Sequence, residues 1–89
     1  MIEKELTIVN KLGLHARAAA KLVSLASNFK SNIELEKDSR VVNGKSIMGV
    51  MMLAASQGTK VKIRAEGSDE EGAIHDIEAL IADKFGEEQ

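Results

Sequence analysis

Cysteine, proline, tryptophan and tyrosine are all absent from this 89-residue chain, and phenylalanine occurs only at Phe29 and Phe85. Without cysteine there is no disulfide and no thiolate metal site, a composition that suits the cytoplasm. With two aromatics the surface offers little for a base to stack on, which argues against nucleic acid as a partner. No apolar run approaches the roughly 20 residues of a membrane span, so no membrane insertion is expected. The N-terminus MIEKELTIVN lacks the basic and apolar stretches of a signal peptide. No proline-rich linker, low-complexity tract or internal repeat divides the chain. It reads as one domain over residues 1–89, with a short frayed tail from Gly86 to Gln89. A domain this small buries only about 60–65% of the surface its unfolded chain exposes. Its chemistry is therefore expected near the surface, with a partner completing the site.

Acidic residues are missing from two long segments. Lys11 to Lys30 carries Lys11, Arg17, Lys21 and Lys30, and Ser39 to Ala65 carries Arg40, Lys45, Lys60, Lys62 and Arg64. Up to Glu66 the chain has 11 basic and 6 acidic residues; from Gly67 onward it has 1 basic and 8 acidic. The net charge of −2 hides this asymmetry. Acid-free basic blocks favour an anionic partner or ligand.

Hydrophobic periodicity supplies the elements. Ile2 to Val9 alternates as a strand does, with Ile2, Leu6 and Ile8 on one side. Ala18, Ala19, Leu22, Leu25, Ala26 and Phe29 form a helical stripe. Ile33 and Leu35 open a second alternating run, and Asp38-Ser39 predicts a tight turn into a strand over Arg40 to Asn43. Ile47 to Leu53 predicts a short apolar helix with Ser46 as N-cap. Lys60 to Glu66 has a clean period of two. In the last helix Ser68 and Glu71 have capping-box spacing, with Asp69 and Glu70 in the first turn. Ala73, Ile74, Ile77, Leu80, Ile81 and Phe85 make its buried stripe, and Gly86 its stop. The order β-α-β-β-α-β-α, with one apolar face per strand, predicts an α+β open-faced sandwich. Three helices cover one face of a four-stranded antiparallel sheet.

The candidate chemistry begins at His15, in Leu12-Gly13-Leu14-His15-Ala16-Arg17. Histidine is a mediocre N-cap, and a helix start ordinarily recruits Asp or Glu. Here the first turn holds Arg17 and no acid, which is unfavourable unless an anion binds. Free amides, a positive dipole end and a guanidinium make a phosphate site. A neutral imidazole there is a nucleophile. Gly13 lets the backbone turn sharply ahead of the helix. His75, by contrast, falls opposite the apolar stripe of the last helix among Glu71, Asp76 and Glu78, and reads as a solvated histidine. It has no second ligand beside it, so no metal site is expected. Gly44-Lys45-Ser46 looks like the end of a phosphate-binding loop, but the required glycine five positions earlier is Ser39, so nucleotide binding by this route is not expected. Ser46 is a plain N-cap whose phosphorylation would gain from the helix dipole and place about two negative charges on the surface. Ile47, Met48, Met51 and Met52 exceed what one short helix can bury, leaving an adaptable apolar contact patch.

Two segments together carry a resemblance. Gly13-Leu14-His15-Ala16-Arg17, followed by an alanine-rich helix, is similar to the active-site segment of the HPr family. Those proteins are the phosphocarriers of the bacterial phosphoenolpyruvate-dependent phosphotransferase system. Lys45-Ser46-Ile47-Met48-Gly49-Val50-Met51 resembles the family's regulatory serine segment. The resemblance covers nearly the whole chain. It implies that His15 is phosphorylated on a ring nitrogen by Enzyme I and that Arg17 helps neutralise the phosphoryl group. Ser46 would be the substrate of HPr kinase/phosphorylase. Leu14, Ile47, Met48 and Met51 would form the docking surface for Enzyme I and IIA domains of sugar permeases. The chain would be a monomeric covalent intermediate in phosphoryl transfer, with no cofactor of its own. Ala18 stands where the family usually has proline; alanine is an excellent helix former, so the site is expected to survive. A second reading is a regulatory docking module, nitrogen-related or catabolite-control, that acts through Ser46 and protein binding rather than sugar transport. A third is a basic RNA-binding or small-ligand domain related only by shape.

Overall fold

The computed structural model describes residues 1–88. Strand β1 (Ile2–Thr7) is followed by helix α1 (Ala16–Ala26), strands β2 (Asn32–Lys37) and β3 (Arg40–Asn43), helix α2 (Ile47–Met52), strand β4 (Lys60–Glu66) and helix α3 (Glu70–Ala82). The sheet order is β1-β4-β2-β3, and each pairing is antiparallel. Alternation sets the register. Ala65 lies opposite Ile2 on one side and Ile33 on the other, so apolar side chains line up across three strands. Leu35 is likewise flanked by Ile63 and Val42. Ile33, Leu35, Val61, Ile63 and Ala65 are buried with Ala18, Ala19, Leu22, Ala73, Ile77 and Ile81 of the helices. This is the expected open-faced α+β sandwich. Asp38 and Ser39 take left-handed φ of 51° and 68°, the conformation of a tight hairpin turn.

Several local expectations are corrected. β1 ends at Thr7 and not Val9: Ile8 pairs with the loop before β4 instead, through Ile8 N to Thr59 O at 2.9 Å and Gly58 N to Ile8 O at 2.7 Å. The capping box from Ser68 to Glu71 does not form. Asp69 is the N-cap of α3, yet its side chain caps nothing locally. Its carboxylate accepts from the Lys30 and Ser31 amides, at 2.8 and 3.0 Å, and from the Ser31 hydroxyl. Three donors, chiefly the hydroxyl and then the Lys30 amide, hold this carboxyl below the usual aspartate range. Glu70 instead reaches back to accept from Gly67 N at 3.2 Å. Nor does Gly86 stop α3, which ends at Ala82. Lys84, Phe85 and Gly86 then form a left-handed turn with φ of 57°, 56° and 78°. Phe85 is fully buried from this turn rather than from the helical stripe. The tail is not frayed at Glu87, which reaches His15; Gln89 lies outside the described residues.

Three of the five cations of the second acid-free block, Arg40, Lys45 and Arg64, are engaged within the fold, and Lys37 just before the block joins them. Lys37 Nζ donates to Leu53 O and Ala54 O, and Arg40 donates to Met52 O, so the hairpin cations cap the C-terminal carbonyls of α2. Lys45 Nζ donates to Phe29 O at 2.7 Å. Arg64 pairs with Glu3 and Glu36 on the open face of the sheet.

Candidate functional site

The loop entering α1 is set by two backbone hydrogen bonds and one buried side chain. Gly13 turns the chain at φ +68°, its amide accepted by Asn10 O at 3.2 Å. Leu14 N donates to Ala55 O at 2.8 Å, which ties this loop to the segment after α2. Leu14 itself is only 5% exposed and belongs to the core. Little of the side chain to which the resemblance gives a docking role is therefore open to a partner.

His15 follows as the N-cap of α1, in extended backbone at φ −75° and ψ 178°. Its Nδ1 accepts the Arg17 amide at 3.3 Å, a long bond that uses one free donor of the helix start. No acidic residue occupies the first turn, so amides, dipole and the exposed Arg17 side chain all favour an anion there. The ring's side chain is 26% exposed, enough for a partner to reach it. Arg17 lines a shallow depression with Lys11, Leu12, Glu87 and Glu88.

The sequence singles out His15 and Arg17 but does not show what holds the ring. Nε2 of His15 contacts a carboxylate oxygen of Glu87, 72 residues away. The other Glu87 oxygen accepts from Asn10 Nδ2 at 2.9 Å, and Asn10, fully buried, also donates to Gly13 O at 2.9 Å. Lys21 Nζ donates to Phe85 O at 2.6 Å and fixes the turn that carries Glu87. The Asn10 amide, then His15, hold the Glu87 carboxyl below the ordinary glutamate range, with the Lys21 charge adding to the effect. The one signal in the sequence was complementary charge: an acid-free start at Lys11 to Lys30, and an acidic stretch at the far end.

Ser46 stands at the start of α2 and its hydroxyl accepts from Gly49 N at 3.1 Å, as an N-cap does. On α2 only Val50 is buried, while Met48 is 70% exposed and Ile47, Met51 and Met52 are exposed with it. His75 is exposed, with Nδ1 at 3.2 Å from an Asp76 carboxylate oxygen. Among the described residues no group of histidine, cysteine and carboxylate side chains is placed to hold a metal. No described helix is long and apolar enough to cross a membrane.

Comparison with known proteins gives a consistent set of matches. The family model described as the PTS HPr component phosphorylation site matches residues 2–83. The phosphocarrier protein HPr of Xylella fastidiosa is 54% identical over 88 residues, 99% of each chain. The crystal structure of an HPr from Thermoanaerobacter tengcongensis superposes with a TM-score of 0.96 at 56% identity, covering all of both chains. The catabolite repression protein Crh of Bacillus subtilis, described as a domain-swapped dimer, is 43% identical with a TM-score of 0.76 over 94% of this chain and 97% of its own.

Proposed function

The chain belongs to the HPr family of phosphotransferase-system phosphocarriers, and we propose that it takes a phosphoryl group from Enzyme I onto His15 and passes it to IIA domains. One observation carries this reading: a partly exposed imidazole caps a helix whose first turn has no acid. A phosphoryl group on that ring meets the free amides and the positive end of the helix, and Arg17 lies beside it. Arg17 is then the residue that balances the charge, in the cytoplasm, on a carrier that acts as a monomer and as a protein substrate of its partners. The exposed Ile47, Met48 and Met51 are the surface on which those partners dock.

The test is to mix the chain with phosphoenolpyruvate, Mg²⁺ and a bacterial Enzyme I and follow intact mass. The wild type gains one acid-labile phosphoryl group and His15→Ala gains none. Phosphorylation of His15→Ala, or none of the wild type with several active Enzymes I, overturns the reading.

A second reading, regulation by docking, is favoured by Ser46 sitting directly before the exposed methionines and by the likeness to Crh. Substitution separates the cap from the charge. Ser46→Ala is expected to lose about 1 kcal/mol of stability, the usual worth of an N-cap. Ser46→Asp keeps the cap and the stability but adds a charge beside the apolar patch, and it weakens partner affinity several-fold. Denaturant midpoints and calorimetric titration with Enzyme I read the two effects. Unchanged affinity in Ser46→Asp removes Ser46 as a switch.

A further inference from the structure

Two hydrogen bonds on opposite sides of the His15 ring specify one tautomer. Arg17 N–H donates to Nδ1, so Nδ1 carries a lone pair. A carboxylate oxygen of Glu87 faces Nε2, so Nε2 carries the proton. The carboxylate is itself oriented by the buried amide of Asn10, and the turn that presents it is tied to α1 through Lys21. Glu87 lies beyond residues 2–83, the span matched by the family model, so nothing in that match assigns it a part.

We propose that Glu87 is a positioning residue for phosphoryl transfer: it fixes the Nε2–H form of His15, aims Nδ1 at the donor, and balances the charge that the ring acquires. The proposal rests on the reading of His15 as the acceptor. In the step, the Nδ1 lone pair forms the N–P bond while the bond from phosphorus to the donor's leaving atom breaks, its electron pair departing with the donor. The ring keeps its Nε2 proton throughout, so the phosphorylated imidazole is cationic. The neighbouring carboxylate meets that cation, as a carboxylate meets the histidine of a catalytic triad. At Nδ1 the arriving phosphoryl oxygens replace the ring as acceptors of the Arg17 amide. Glu87 is side-chain hydrogen-bonded and 15% exposed, so the contact is shielded from much of the solvent screening that weakens surface pairs.

The experiment compares the wild type with Glu87→Gln, which keeps size and removes charge. Two readouts are used: steady-state kinetics with the chain as substrate of Enzyme I, and the ¹⁵N and proton resonances of the His15 ring without any donor. Hydrogen bonds to a charged partner are stronger than neutral ones, and we expect kcat to fall about tenfold in Glu87→Gln with KM within about twofold. The Nε2 proton resonance moves upfield as its acceptor loses charge. A merely structural contact leaves kcat and the ring proton unchanged while lowering stability, and that result overturns the proposal. If the wild type accepts no phosphoryl group at all, the acceptor reading fails, and the ring resonances alone then decide whether Glu87 orients the imidazole.

Discussion

Phe85→Ala is expected to lose about 3–4 kcal/mol of stability and, with it, the contact between Glu87 and His15. Phe85 is the largest fully buried side chain among the described residues, yet it is presented by backbone that resists the job. Lys84 and Phe85 both lie in the left-handed region, which costs an L-residue roughly 1–2 kcal/mol each. Burying a phenylalanine side chain returns about 1.5–3 kcal/mol, and the bond from Lys21 to Phe85 O adds to it. The turn therefore holds only because the ring fills its site. Truncation leaves the strain without its compensation, so the turn opens and recovers that strain. For this reason the loss falls at the low end of the range of about 3–5 kcal/mol for phenylalanine to alanine. At roughly 4–8 °C per kcal/mol for a domain of this size, the thermal midpoint drops by about 12 °C or more. Phe85→Leu, which still fills most of the site, is expected to cost less than about 1.5 kcal/mol. Urea titrations give the stabilities, and the His15 ring resonances report whether Glu87 has left. A Phe85→Ala protein within about 1 kcal/mol of wild type, a midpoint shift of no more than about 4–8 °C, contradicts this account.

The elements that sequence reading placed correctly share a property: their determinants are local. β4 alternates residue by residue, with Val61, Ile63 and Ala65 inward, and its limits match those read from the sequence. Ser46 caps its helix through a bond to Gly49, three residues on. His15 was legible because the composition of a single helical turn was unusual. Where the reading failed, the partner lay far along the chain. Asp69 looked like a first-turn acid, but its acceptors are spent on Lys30 and Ser31, 39 and 38 residues back. Gly86 looked like a helix stop because its spacing to the apolar stripe was right. The helix ends earlier because Phe85 finds its hole only through a left-handed turn, and no periodicity encodes that. The family resemblance puts Leu14 with the docking residues, but local pattern says nothing of how deeply it sits. The backbone that carries it is held by Ala55, which arrives from beyond α2. Glu87 was the costliest omission: a residue assigned to a frayed tail completes the shell around the imidazole.

The dependence of the site on distant backbone is sharpest at Gly13. A Cβ built there lies 2.5 Å from Ala55 O and 2.8 Å from Ser56 Cα, both backbone atoms that no side-chain rotation can move. The φ of +68° adds its own penalty, roughly 1–2 kcal/mol for a residue with a Cβ. Forcing extra volume into a packed site ordinarily costs about 1–3 kcal/mol more. Gly13→Ala is therefore expected to lose about 2–5 kcal/mol, a large share of the 5–15 kcal/mol that holds a small domain together. The atom it strikes is also the acceptor of Leu14 N, so the loop relaxes by breaking that bond and pulling Leu14 out of the core. His15, next in the chain, moves with it. The bond from Asn10 to Gly13 O moves too, and that bond orients the amide holding Glu87. The variant should thus accept phosphoryl groups at least tenfold more slowly than wild type even at temperatures where it is fully folded, because a displacement near 1 Å at a reacting atom costs on the order of 10²-fold. A control at Gly58, where φ is +88° but no atom lies within 4 Å of a built Cβ, isolates the conformational part. Gly58→Ala should lose only about 1–2 kcal/mol and keep its rate of phosphorylation. Equal losses in the two variants would mean that the approach of Gly13 to Ala55 does not position the helix start.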